Sequence, residues 1–270
     1  MQPRIIVLTA VAAAAVAVAA GCSSSKNSPS SPPASPGAGD ATSGPAISGT
    51  VTVFAAASLK EAFTTLASQF ESDHPGSHVK LSFGASSDLA EQINQGAPAD
   101  VFASASPKNM QQVISAGGAS TSTNFVKNVM EVAVPPSNPA HVTSVTDLAK
   151  SSVKVALCQP QVPCGAVAAE VFTNAKITVK PVTLEPDVKS TLSKVELNEV
   201  DAGMVYVTDV RAAGRKVNGI VIPDNLNAST EYPIAALTKA PHAAGAQAFV
   251  DLVLSPAGEA VLSADGFQKP

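Results

Sequence analysis

From Gly49 to Pro270, short apolar runs with strand character alternate with segments of helical period, and this alternation restricts the chain to an α/β architecture. The first change of period is the sharpest. Thr50 to Phe54 reads as a strand ending in Ala55-Ala56-Ala57, after which Leu59, Phe63, Leu66 and Phe70 recur at helical spacing. Ser58 stands where an N-cap belongs, and Glu61 three residues on completes a capping-box pattern. Further strands are expected at 79–83, 100–103, 129–134, 153–157 and 202–207, with an extended segment at 232–237. Helices are expected from Ser86 to about Gly96, after Ser106-Pro107, over 146–150, 165–174 and 187–198, and finally over 243–254 and 256–264. Strand–helix spacing this short implies parallel sheets with right-handed crossovers. A stretch of this length is large for one core and suits two α/β lobes of about a hundred residues each, joined by a hinge. The expected division is lobe I, discontinuous, at 49–127 and 232–270, and lobe II at 128–231.

The N-terminus specifies a compartment. Arg4 precedes an apolar run from Ile5 to Ala20, and Ala19-Ala20-Gly21 places small residues before Cys22. Residues 1–21 read as a secretory signal peptide, too short and wrongly flanked for a membrane span. Gly21-Cys22 followed by serines points to a bacterial lipobox with Cys22 lipidated, although Ala19 stands where leucine is usual. Residues 22–48, almost all Ser, Pro, Gly and Ala, bury too little surface to order themselves and form a tether. As a coil such a tether spans roughly 25–30 Å. The folded part is thus expected outside the cytoplasm, held to the cell membrane by lipid.

Composition narrows the partners. Charged residues are 14% of the chain and the net charge is −4, so no broad basic face serves nucleic acid or funnels anions. An anion site must then be built from local dipoles. Four loop-to-helix junctions supply them: Ala56-Ala57-Ser58, Gly84-Ala85-Ser86-Ser87, Pro163-Cys164-Gly165 and Pro186-Asp187-Val188. The first N–H groups of a helix lack intrahelical partners, and small side chains let an anion reach them. Any one junction by itself reads as an ordinary cap, but four near the carboxyl ends of strands fit the place where open α/β sheets bind ligands.

The runs Phe54-Ala-Ala-Ala-Ser-Leu59, Ser82-Phe-Gly-Ala-Ser-Ser-Asp-Leu-Ala90, Gly96-Ala-Pro-Ala-Asp-Val-Phe102 and Gly203-Met-Val-Tyr206 resemble the periplasmic molybdate-binding protein family, over roughly residues 50–268. The resemblance implies the type II periplasmic binding protein fold and hinge closure on molybdate or tungstate. It also implies a monomer that delivers its ligand to the membrane permease of an ABC importer with a cytoplasmic ATPase. It places Ser58 and Ser86 as hydroxyl donors, Tyr206 as a hydroxyl donor from the other lobe, and Val188 and Cys164 as backbone N–H donors. No cofactor, no directly coordinated metal and no catalysis are implied. Two residues depart from the family pattern. Asp88 puts a carboxylate in the first turn beside the site, where facing solvent it complements the helix start. Cys164 stands where alanine is usual and lies six residues from Cys158. In an oxidising compartment the two read as a disulfide, with free thiols or a metal pair left open.

Other readings stay open on the residues alone. Sulfate or another tetrahedral oxyanion suits the same scaffold. A secreted serine hydrolase would use Gly84-Ala85-Ser86, but the second glycine of a nucleophile elbow is absent and His74, His78, His141 and His242 lie outside the four junctions. A lipoprotein that binds other proteins would need an exposed apolar patch. No P-loop motif is present, so ATP hydrolysis falls to a partner chain.

Overall fold

The structure is a computed structural model that describes residues 47–270; the expected signal peptide, the expected lipidation at Cys22 and the expected tether up to residue 46 lie outside the described residues. The described chain runs β1 (Gly49–Ala56), α1 (Lys60–Asp73), β2 (Ser77–Gly84), α2 (Ser86–Asn94), β3 (Val101–Ala103), α3 (Pro107–Ser115) and β4 (Thr123–Val134). It continues with β5 (Val155–Cys158), α4 (Pro163–Ala175), β6 (Thr183–Glu185), α5 (Val188–Glu196), β7 (Ala202–Tyr206) and α6 (Val207–Ala213). β8 (Asn218–Val221), β9 (Ser229–Ala236), α7 (Ala243–Leu254) and α8 (Pro256–Ala264) complete it.

The strands order as β2-β1-β3-β9-β4-β7-β5-β6, with β8 also paired to β4. β1 is parallel to β2 and β3, and β5 is parallel to β6 and β7, as helical crossovers require. β9 and β4 run antiparallel between these parallel sets. The first half of β4 pairs with β9, from Thr123 opposite Ile234 to Val129 opposite Ser229. Its second half, from Met130, pairs with β7 and β8. β4 and β9 therefore lie side by side as an antiparallel ribbon between the two halves of the fold.

Each half buries its own apolar residues. The stripe on α1 puts Leu59, Phe63, Leu66 and Phe70 at zero exposure against α7 and α8. Phe249 of α7 meets Phe63 and Phe70 edge-on, with ring centres 5.8 and 5.6 Å apart. Burying each such ring contributes about 1.5–3 kcal/mol, enough to fix the helix without help from its caps. On the other face of β1 and β3, Leu89 and Ile93 of α2 and Met110 and Val113 of α3 close over Phe54 and Phe102. The second half packs α4 and α5 against β4, β5 and β7 around Met130, Val155, Val171, Leu192 and Met204.

The expected caps at Ser58 and Ser86 are not made. A 3₁₀ turn, Ala57–Leu59, precedes α1, so Ser58 sits inside that turn and Leu59 takes the capping position. Ala85 is the N-cap of α2, and Ser86 is its first helical residue. In both cases a tertiary partner takes the hydroxyl. β4 begins six residues earlier than the apolar run 129–134 suggests, because its polar first half is held by pairing to β9. The short elements β6, α6 and β8 were not expected from the sequence.

Candidate functional site

The four junctions meet. A cavity of about 20 Å³ is lined by Ala56, Ala57 and Ser58 after β1, by Gly84, Ala85 and Ser86 after β2, and by Ala105. Pro163 and Cys164 at the start of α4, Asp187 and Val188 at the start of α5, and Tyr206 at the end of β7 close it from the other half. Ser58, Ser86, Cys164, Val188 and Tyr206 all line this cavity, and all five are buried. Its size lies below the roughly 300–1,000 Å³ of pockets for drug-sized ligands, so it suits an ion or a very small molecule.

Its donors are backbone amides and hydroxyls. In α2 the N–H of Asp88 already bonds to the Ala85 carbonyl, which leaves the amides of Ser86 and Ser87 without an intrahelical acceptor. In α4 the first such bond is Ala166 N–H to the Val162 carbonyl, leaving Cys164 and Gly165. In α5 the Asp187 carboxylate accepts from Ser190 N–H at 2.9 Å and its carbonyl accepts from Thr191 N–H, leaving Val188 and Lys189. The one carboxylate at the wall is thus turned into a cap. No Lys or Arg lines the cavity.

The Tyr206 hydroxyl is buried and finds no hydrogen-bond partner in the protein, although Tyr232 stands beside it with ring centres 6.3 Å apart. Burial pushes its pKa well above the usual phenol value, so it stays a neutral donor. A buried polar group left unpaired costs about 1–3 kcal/mol, and a ligand oxygen in the cavity would remove that cost. Ser58 Oγ lies 2.8 Å from the Tyr232 hydroxyl, and Ser86 Oγ accepts from Ala105 N–H at 2.8 Å. Asp88 is exposed and its Oδ1 accepts from the Ser87 hydroxyl, away from the cavity wall. None of the four histidines lines the cavity, so no imidazole stands ready to activate Ser86.

A disulfide joins Cys158 to Cys164, with Cα atoms 5.8 Å apart, and pins the start of α4 to the end of β5. Gly165 beside it has no room for a side chain: a Cβ there would lie 2.0 Å from the Gln159 carbonyl oxygen. Gly165→Ala is expected to cost about 2 kcal/mol by overpacking, measured as a shift of the urea midpoint; an unshifted midpoint would show that the turn yields freely.

Sequence reading missed Tyr232, Lys189 and Asp209. Lys189 Nζ reaches across the cleft to Glu61 Oε2 of α1 at 2.8 Å and contacts Asp209 Oδ1 of α6 at 3.1 Å. At its angles the second contact is ionic only, because Oδ1 makes no hydrogen bond. The chain has two tyrosines, and both meet at this site, a scarcity that could have drawn attention to Tyr232. Among the described residues no group of three or more His, Cys, Asp or Glu could hold a metal ion, and no helix is long and apolar enough to cross a membrane.

A family model described as bacterial extracellular solute-binding protein matches residues 51–268. The molybdate-binding protein ModA of Mycobacterium tuberculosis is 39% identical over 243 residues, which cover 90% of each chain. The Azotobacter vinelandii periplasmic molybdate-binding protein superposes with a TM-score of 0.73 at 23% identity, covering 82% of this chain and 99% of that one. The sulfate-binding protein SubI of Mycobacterium tuberculosis superposes with a TM-score of 0.72 at 17% identity, covering 82% and 86%. These structural likenesses show the fold, that of the two-lobed periplasmic binding proteins. They do not choose between anions.

Proposed function

The chain belongs to the bacterial extracellular solute-binding proteins, and from that premise we propose that it captures molybdate, and tungstate with it, for an ABC importer. The observation that carries this reading is a small cavity in which hydroxyls and helix-start amides of both halves converge with no basic side chain among them. Ser58, Ser86 and Tyr206 offer hydroxyls, and Cys164 and Val188 offer N–H groups, to the four oxygens of one dianion. An unpaired buried charge is very costly, so every oxygen must be bonded once water is stripped away. Bonds to an ionised acceptor are stronger than neutral ones, which lets uncharged donors hold it. Lobe I, 49–127 with 232–270, and lobe II, 128–231, act as jaws. Their donors are satisfied together only when the jaws are shut, so the ligand favours closure by its differential affinity for that state.

The chain works outside the cytoplasm as a monomer, tethered through a lipid on Cys22 once residues 1–21 are removed. It passes its ligand to a membrane permease driven by a cytoplasmic ATPase. Titration calorimetry of the purified chain against molybdate, tungstate, sulfate and phosphate is expected to show tight binding of the first two alone. Sulfate binding of equal strength would transfer the assignment to sulfate. Silence with all four would end the oxyanion reading.

A further inference from the structure

A donor-only cavity needs more than hydroxyls; it needs their protons aimed inward. A serine hydroxyl has one proton and two lone pairs, so it can just as well greet an anion with a lone pair. The two site serines solve this differently. Ser86 Oγ accepts from the backbone N–H of Ala105. An amide N–H can only donate, so the Ser86 proton is left for the cavity. Ser58 Oγ faces another hydroxyl, that of Tyr232, at 2.8 Å, and either could donate.

Two arguments favour one direction. A phenol is a stronger hydrogen-bond donor than an alkyl hydroxyl. Tyr232 itself is fully buried on the β4–β9 ribbon, its ring packed edge-on against Phe267 at 5.4 Å and Phe125 at 6.4 Å, which holds its oxygen within hydrogen-bond reach of Ser58 Oγ. We infer that Tyr232 is a positioning residue: its hydroxyl donates to Ser58 Oγ and thereby turns the Ser58 proton into the cavity before any ligand arrives. Tyr232 and Ser58 then form a short relay of donors that ends at the anion.

This inference rests on the oxyanion reading of the cavity and adds a source of selectivity to it. Phosphate at neutral pH always carries a proton and needs an acceptor in its site. With Ser58 locked as a donor, none is offered there. Removing the Tyr232 hydroxyl frees Ser58 to rotate and accept.

The test is a double-mutant cycle on the full chain, read by calorimetry with molybdate and with phosphate. Tyr232→Phe is expected to raise the molybdate Kd roughly 3- to 10-fold, the loss of one net hydrogen bond, and to shrink the preference for molybdate over phosphate further. In a Ser58→Ala background the same Tyr232→Phe change is expected to alter the molybdate Kd less than about 2-fold, because nothing remains to be aimed. A loss of equal size in both backgrounds, or an unchanged preference over phosphate, would overturn the positioning role while leaving the oxyanion reading intact. A wild-type chain that ignores molybdate would sink both. If Tyr232→Phe does not fold, 3-fluorotyrosine at 232 keeps the shape and strengthens the donor. It is expected to tighten molybdate binding about 2-fold, and unchanged or weaker binding would overturn the assignment.

Discussion

Replacing Ser58 and Ser86 together with alanine is expected to weaken molybdate binding by roughly 10²- to 10⁴-fold while the chain still folds. Hydrogen bonds to a charged group contribute about 1.5–3 kcal/mol each, and each 1.4 kcal/mol is tenfold in affinity. The double variant also leaves Ala105 N–H and the Tyr232 hydroxyl without their acceptor, since each now bonds to one of these serines. Part of the change will therefore appear as lowered stability, of order 1–3 kcal/mol per orphaned group. Calorimetry reads the first effect and thermal melting without ligand reads the second, so the two separate. An affinity within about threefold of wild type would remove both hydroxyls from the site.

The second large effect is expected at Lys189. Asp209 is fully buried, and its Oδ2 accepts from Tyr206 N–H at 3.1 Å. Burial raises its pKa above the usual carboxylate value, and Lys189 pulls against that rise without cancelling it. Burial alone would lower the pKa of Lys189, but Asp209 and Glu61 outweigh it and the net shift is upward. Lys189→Met strips Asp209 of its counter-charge. Breaking a buried pair costs about 3–5 kcal/mol. The lower end applies here, because the Lys189 side chain keeps 21% of its exposure. The Glu61 contact, with Glu61 43% exposed, adds little of this.

The pH dependence follows from the sign. A carboxylate whose pKa is raised on folding contributes stability that is full below its unfolded value, near 3.8 for Asp209, and is lost as pH rises through the folded value. Without Lys189 that folded value climbs further. The deficit of Lys189→Met relative to wild type is therefore expected to be large at pH 7 and smaller at pH 5, measured by urea denaturation at both. In an Asp209→Asn background the same substitution should cost less than about 1 kcal/mol. A deficit independent of pH, or equal in the two backgrounds, would mean that Lys189 acts through packing alone.

How much of this could be read from residues in order depends on how far each residue reaches. The four-three-four spacing of Leu59, Phe63, Leu66 and Phe70 marks α1 because a helix writes its buried face into local periodicity. The ends of α7 and α8 are legible for the same reason, helped by Pro256 at a first helical position. Ser58 and Ser86 look like caps because local rules assume local partners. Their hydroxyls went to Tyr232, 174 residues away, and to Ala105, 19 away. Lys189 carried no signal at all, since its partner Glu61 is 128 residues distant. Ser58, Ser86, Cys164 and Val188 stand in junctions that the local pattern marks, but Tyr206 and the joining of all five came through motif resemblance, which encodes such distant meetings in a way that spacing cannot.

The paired β4 and β9 strands have a mechanical corollary. Lys127 stands opposite Glu231 in that ladder, so the two points where the chain is expected to pass between lobes are bonded neighbours. A two-stranded antiparallel ribbon twists with little resistance, but sliding it lengthwise would break its ladder bonds and throw side chains to the wrong face. For the proposed lobes, rotation about this ribbon would be softer than sliding along it. A closure of that kind would bring the same donors back to the same point each time.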